Sequence, residues 1–341
     1  MTAKKIFSVF GIALLIFLIA IPLLSYKAFK SAIKEKAFNH LITARELLNN
    51  QIENYFEERF GDVDVLARNP MIAQGLTRLS KAFSISGFET PKYLETAGTY
   101  QPLMDHYVSD YGYINVFFVD RDGDVVYSAK KDEYTGTNLL TGKYKRLSLA
   151  QIFRRGMEEV AFEDYTWHDG LEEFTAYFAA PIYGNQVVLG VLVIEIPFSH
   201  LDAMLTRRAG LGQTGEMYLV GDDGFMRSNS RFSEEPTILQ KEVDTEATSE
   251  AFDGISGTKI VEDYRGVPVL SAYTPLSLKF VDWILLAEID EKEAFSVIHF
   301  VEIRLIILAS TIGAIAIAYL YLAKRRENRH EISESVEESE A

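Results

Sequence analysis

The 341-residue chain contains no cysteine. That excludes a disulfide framework, thiol catalysis and thiolate-bound zinc in one step. Histidine is scarce: His40, His106, His168, His200, His299 and His330 show no i,i+4 pair and no H-E-x-x-H motif. No G-x-S-x-G elbow and no phosphate-binding loop occur, so we expect no enzyme, no catalytic residue, no metal and no cofactor. Positive charge is also short, with 34 Lys and Arg against 49 Asp and Glu and a net charge of −15. That balance argues against a nucleic-acid partner. DRDGD (120–124) looks like the start of a calcium loop. An EF-hand needs Gly at its sixth position and Glu at its twelfth, where this chain has Val125 and Lys131, so a hairpin turn is expected.

Two long uncharged runs stand near the ends. Residues 6–24 read IFSVFGIALLIFLIAIPLL and residues 305–322 read LIILASTIGAIAIAYLYL. As helices each is roughly 27–29 Å long, the thickness of a bilayer core. The competing reading of the first is a cleaved signal peptide; its apolar core exceeds the usual length of about 7–15 residues. The cluster Lys324, Arg325, Arg326 closes the second and belongs on the cytoplasmic side. The expected chain is two-pass in the plasma (inner) membrane. It has a cytoplasmic N-terminus (1–5), a first transmembrane helix (6–26), periplasmic or extracellular residues 27–302, a second transmembrane helix (303–322) and a short cytoplasmic tail (323–341).

From Ser31 to Leu66 there is no proline, and glycine first occurs at Gly61. Phe38, Leu41, Leu48, Ile52, Tyr55, Phe56, Val63 and Leu66 fall at helical spacings, predicting one long amphipathic helix that opens a stalk region, 27–110. Leu41, Leu48 and Tyr55 are seven apart, a spacing that serves either a homodimer seam or packing within one chain.

After residue 110 the pattern becomes β. FFVDRDGDVVYS (117–128) is strand, turn, strand, and FTAYFAAPIYGNQVVLGVLVIEIPF (174–198) is a hairpin turning at Gly184-Asn185. SLAQIFRRGMEE (148–159) reads as a helix capped by Ser148. The same order returns in YLVGDDGFMRSN (218–229) and VPVLSAYTPLSLKFVDWILLAEID (267–290). Val119 matches Val220, Gly123 matches Gly224, Pro181 matches Pro275 and Glu195 matches Glu288. The chain therefore reads as a duplicated α+β module, each copy an antiparallel sheet with a covering insertion. The copies are a membrane-distal module, 111–207, and a membrane-proximal module, 208–300. Glu195 and Glu288 occupy equivalent places and read as structural rather than as a paired-carboxylate active site.

GTNLLTGKYK (136–145), AAPIY (179–183) and RAGLGQTGEMYLVGDDGFMRSNSRF (208–232) resemble the double Cache ectodomain of bacterial and archaeal chemoreceptors and sensor kinases. The resemblance covers roughly residues 34–300. It implies two tandem PAS-like modules on one long helix, flanked by two transmembrane helices, with a small solute bound in the distal module. Independently, the insertion 131–173 carries Tyr134, Tyr144, Tyr165 and Trp167 with acids, the composition of a small-molecule wall. The corresponding linker 231–258 is poor in aromatics. The enclosed hollow is therefore expected in the distal copy.

In amino-acid-binding members of that family an Asp after the insertion holds the amino group and an Arg-x-Trp-Tyr run holds the carboxylate. Asp164 resembles the first feature; the second is missing from QIFRRGMEE (151–159), which favours an amine. The candidate ligand-binding residues are Asp164 for a cationic group, Trp167 and Tyr144 for stacking or cation–π contact, and Tyr127 and Tyr177 as the strand floor. Core packing is the competing role for the tyrosines, and a turn or cap for Asp164.

The tail after the second run is too short for a kinase, cyclase or chemoreceptor output domain. The expected function is a membrane-anchored sensor of a small, amine-like or amino-acid-like solute, signalling through its transmembrane helices to a separate partner protein. A scaffolding ectodomain that recognises another protein, and a fragment of a longer chemoreceptor or kinase, are the alternatives. Ser310, Ala314 and Ala318 repeat every four residues and would allow close helix approach in the membrane.

Overall fold

The computed structural model describes residues 3–206 and 210–340. Side chains are described from Tyr26 onward, except Ala316, Leu320, Ala323, Lys324 and those beyond Arg325. The chain divides into two units, one formed by residues 1–40 and 290–341, the other by 41–289.

In the first unit, helix α1 (Ala3–Ala67) begins and helices α7 (Glu291–Ala294) and α8 (Ser296–Glu340) follow. Ser296–Tyr319 is a candidate membrane span of 24 residues with mean hydropathy 2.1, unburied within the chain. It starts before the expected 303–322. The expected first span, 6–26, has helical backbone, but its side chains up to Ser25 lie outside the described residues. Tyr26 donates to Glu302, which also takes His299 Nδ1 at 3.1 Å. In the small-residue repeat, the Ser310 hydroxyl donates to the Ile306 carbonyl of its own helix at 2.8 Å.

In the second unit the rest of α1 is the stalk. Its apolar stripe turns inward, and Leu41, Leu48, Ile52, Phe56, Val63 and Leu66 are fully buried within one chain. The seven-residue series Leu41, Leu48, Tyr55 is thus consumed by intramolecular packing, because both modules lie along this face. Phe56 meets Phe162 of the distal module and Trp283 of the proximal one edge-on, at 5.0 and 5.6 Å. Arg45 donates to the Tyr273 carbonyl at 2.8 Å. Helices α2 (Pro70–Ser86) and α3 (Pro91–Tyr111) each open on a side-chain cap, Asn69 and Thr90, with proline in the first turn.

The distal sheet has five antiparallel strands: β1 (Asn115–Asp120), β2 (Val125–Ser128), β3 (Ala161–His168), β4 (Glu173–Gly184) and β5 (Val187–Pro197), in the order β2-β1-β5-β4-β3. The insertion thus supplies a strand of its own. Asn185 and Gln186, both at positive φ, make the β4–β5 turn; Gly184 ends β4. Helix α4 (Ser148–Gly156) starts after Leu147 with no side-chain cap, so Ser148 is not its N-cap. One face of this sheet, including Phe162 and Phe178, packs on the stalk. The other, Phe117, Val119, Tyr177, Ala179, Val191 and Val193, packs under Leu149, Ile152 and Phe153 of α4. Each buried Val, Leu, Ile or Phe among them contributes roughly 1.5–3 kcal/mol relative to exposure. Gly156 permits this contact: a Cβ there would stand 2.6 Å from Val191 Cγ1 and 2.9 Å from Ala179 Cβ.

Helix α5 (Ser199–Leu205) leads to the proximal module. Its strands β6 (Glu216–Gly221), β7 (Gly257–Glu262), β8 (Pro268–Pro275) and β9 (Trp283–Asp290) are ordered β6-β9-β8-β7, under helix α6 (Glu246–Phe252). Met226 and its neighbours, expected as a second strand, are held by isolated bridges instead. The duplication is visible in register. Asn115 stands opposite Glu195 in the distal sheet, and Glu216 opposite Glu288 in the proximal one. Gly123 and Gly224 take φ of 88° and 80° in matching turns.

Candidate ligand site in the distal module

Glu195 lies in the middle of an otherwise apolar strand, and strand alternation aims it with Val193 and Val191 at the face under α4. It is 1% exposed. Tyr177, its neighbour across β4, donates its hydroxyl to Glu195 Oε1 at 3.0 Å. His168, at the end of β3, places Nε2 at 3.9 Å from the same oxygen and 3.2 Å from the Tyr134 hydroxyl. Tyr134 packs edge-on against Tyr144 at 4.7 Å, and Tyr144 donates to Glu133 Oε2 at 2.6 Å. Asp132 accepts from Asn115 Nδ2 at 2.6 Å and from the Tyr134 backbone N–H at 3.2 Å.

Three carboxylates, three tyrosines and a histidine therefore meet between the sheet and the segment after β2. Burial pushes the Glu195 carboxyl up to about 7, partly offset by the Tyr177 hydroxyl. Burial also raises Asp132, against the hydrogen bonds it accepts. The arginines of α4 are committed elsewhere. Arg155 of α4 pairs with Glu163 at 3.2 Å and donates to the Phe162 carbonyl, and Arg154 donates to the Lys145 carbonyl. Lys143 Nζ lies over the Tyr144 ring, 4.3 Å from its centroid, with Glu133 among its charged neighbours. Carboxylate oxygens and aromatic faces of this kind recognise an ammonium group.

Of the five residues expected at the site, Tyr144 and Tyr177 come together here. The other three do not join them. A β-bulge between Glu163 and Thr166 turns Asp164 toward the proximal module, where it accepts from Arg227 Nε at 2.8 Å and Trp283 Nε1 at 3.3 Å. Burial raises its carboxyl, opposed by Arg227. Trp167 is 51% exposed, edge-on to Phe174. Tyr127 faces the helices, its hydroxyl on Gln101 Oε1 at 3.2 Å. Sequence reasoning did not select Asp132, Glu133, His168 or Glu195, although an acid inside the apolar run VLVIEI was a visible signal for the last.

The expected hollow under the insertion is filled by the rings of Tyr134, Tyr144 and Phe153, all buried. A small cavity lies instead beside the α5–β6 connection, lined by Leu205, Leu211, Met217, Asn229 and Arg231.

The chain is thus a tandem pair of antiparallel-sheet modules on one long helix, with a polar cluster beside α4 in the first. The Cache domain family model matches residues 25–298, and the chain belongs to that family. No curated protein matches it. Among solved structures it is similar to the ligand-binding domain of the Pseudomonas fluorescens chemoreceptor CtaA in complex with L-leucine. The identity is 15% and the TM-score 0.52, over 78% of this chain and 99% of that one. It is also similar to the domain of the Pseudomonas aeruginosa PAO1 amino acid chemoreceptor PctB in complex with L-Arg. There the identity is 14% and the TM-score 0.53, over 76% and 98%. The domain of PctC from the same organism, in complex with GABA, shares 17% identity at a TM-score of 0.50, over 74% and 99%. At these identities the likeness establishes the fold.

Proposed function

We propose that this protein is a membrane-anchored, extracytoplasmic sensor that binds a small amine-like or amino-acid-like solute in its distal module. The reading holds that the chain passes the membrane twice and signals through its transmembrane helices to a separate partner protein. The observation that carries it is the buried Glu195, with half-buried Asp132 and exposed Glu133 beside it, around Tyr134, Tyr144 and Tyr177. The solute's ammonium group donates to these carboxylates, and Tyr134 and Tyr144 swing aside to admit it. Amino acids and GABA bound to the structurally similar chemoreceptor domains support this ligand class. The α4 arginines are committed, which favours amines over α-amino acids.

Asp164 and Trp167 serve this reading outside the first contacts, as a tie between modules and as a rim residue. Two copies pair through the outward face of α1, where Leu47 and Val65 are exposed. The candidate span at Ser296–Tyr319 supports anchoring.

The test is thermal unfolding of the full chain in detergent with putrescine, GABA, L-leucine and L-arginine. A rise in Tm with at least one, strongest for putrescine and abolished in Glu195→Gln and Tyr144→Ala, is the expected result. No rise with any would overturn the reading.

A further inference from the structure

The chain carries a net charge of −15, yet its stalk begins with lysines. Lys27, Lys30, Lys34 and Lys36 stand together on α1 with a single acid, Glu35, among them. All four lysine side chains are exposed. The uncharged run 6–24 ends just before Lys27, so the cluster lies where α1 leaves that run.

Helical geometry sorts the four. At 3.6 residues per turn, Lys27, Lys30 and Lys34 point within about 60° of one another, and Lys36 points to the opposite side. Counted from Leu24, Lys27 and Lys30 stand roughly 4.5 and 9 Å beyond the apolar run, against a headgroup layer about 5–7 Å thick. Cα–Cβ bonds in a helix tilt toward its N-terminus, which for α1 is the side of the apolar run. The flexible stems of Lys27 and Lys30 therefore lean back toward headgroup phosphates, as lysines near the ends of spans do. Lys34 is the outermost of the three and lies over the Phe38 ring on the same face, 5.8 Å from its centroid. Lys30 has Glu302 among its charged neighbours, but that carboxylate already takes the Tyr26 hydroxyl and His299 Nδ1.

We propose that Lys27, Lys30 and Lys34 bind the phosphate groups of anionic phospholipids in the outer leaflet, fixing the height and rotation of α1 where it leaves the membrane. The proposal rests on the two-pass reading above, which places 6–26 in the bilayer and these lysines outside the cytoplasm. The partner is a lipid phosphodiester rather than free phosphate. Three ammonium groups on a convex helix surface enclose no single anion, and they gain affinity from the density of charge on a membrane surface. Basic residues beside a span are ordinarily kept in the cytoplasm, so a cluster held on the outer side is matched to an anionic surface there. The chain beyond residue 40 is rich in Asp and Glu and is repelled by the same surface, which confines the attraction to the base of the stalk.

The test reconstitutes the full chain in vesicles of four parts phosphatidylcholine to one part phosphatidylglycerol. Electron spin resonance of chain-labelled phosphatidylglycerol and phosphatidylcholine then measures which lipid the protein immobilises. The expected result is a preference for phosphatidylglycerol that falls about fivefold or more in the triple variant Lys27→Gln, Lys30→Gln, Lys34→Gln, fivefold being the worth of one lysine at an anionic surface. Lys36→Gln, on the opposite side, leaves it near the parent value, and 1 M NaCl shrinks the difference between parent and triple variant. The cytoplasmic cluster Lys324, Arg325, Arg326 is the same in every variant and cancels in the comparison. A preference unmoved by the triple variant, or lowered as far by Lys36→Gln, overturns the proposal. So does a triple variant that loses self-association in light scattering with its lipid preference intact, since the face then meets a second copy. Extraction of the chain from the vesicles by alkaline carbonate overturns the two-pass reading as well; a chain that stays in the membrane with unchanged preference overturns this proposal alone.

Discussion

The Asp164 carboxylate of the distal module and the Arg227 guanidinium of the proximal one are joined at 2.8 Å, Arg227 being almost fully buried. Asp223 takes the other side of the guanidinium at 2.8 Å, and Gly221 leaves the space it occupies, since a Cβ there would stand 2.5 Å from Arg227 Cζ. Arg227→Met strands two carboxylates and is expected to cost on the order of 2–4 kcal/mol. Asp164→Asn, which leaves the Asp223 pairing intact, costs about 1–2 kcal/mol. The double variant costs less than the sum. Urea unfolding of the full chain measures all three.

Gly156 sets how closely α4 lies on the distal sheet. Gly156→Val forces a side chain into Val191 and Ala179. The expected loss is roughly 1–3 kcal/mol, together with faster hydrogen exchange in 148–156. Unchanged exchange there would contradict the packing.

Glu195 titrates in the folded chain near 7, above the ordinary carboxyl value of 4.5, because it is buried. The folded state therefore holds a proton that the unfolded state has released between those values. Its contribution to stability is fully present below about pH 4.5 and is lost as pH rises through about 7. Glu195→Gln flattens that slope in a series of Tm against pH. An ammonium ligand needs the ionised form, so putrescine or GABA affinity rises through the same window.

Leu48 faces inward on the stalk at 3% exposure. Leu48→Ala is expected to cost about 2–4 kcal/mol in unfolding and to leave the oligomeric state in light scattering unchanged. A dimer seam would show the opposite pattern.

Trp167, half exposed, makes a complementary control. Trp167→Ala stays within about 0.5 kcal/mol of the parent and keeps the solute-induced Tm shift that Tyr144→Ala abolishes.

Much of the architecture was legible in the sequence. The stalk announced itself through an unbroken run of helical spacings without proline. The duplicated hairpin was visible because Gly123 and Gly224 need a left-handed backbone at the same turn, where substitution is strained. Glu195 and Glu288 were aligned correctly as counterparts and set aside as structural. Their burial, and the pairing of Glu288 with Glu216, required neighbouring strands.

Local periodicity, turn chemistry and the repeat determined the helices, most strands and the two-module order, since these follow from short-range sterics and which residues are apolar. The tertiary structure decided which way the decisive side chains point. The bulge after Glu163 breaks the two-residue alternation and sends Asp164 to Arg227 rather than under the lid. The seven-residue stripe of α1 likewise meets its own modules, because a pattern of apolar positions specifies a face and not what covers it.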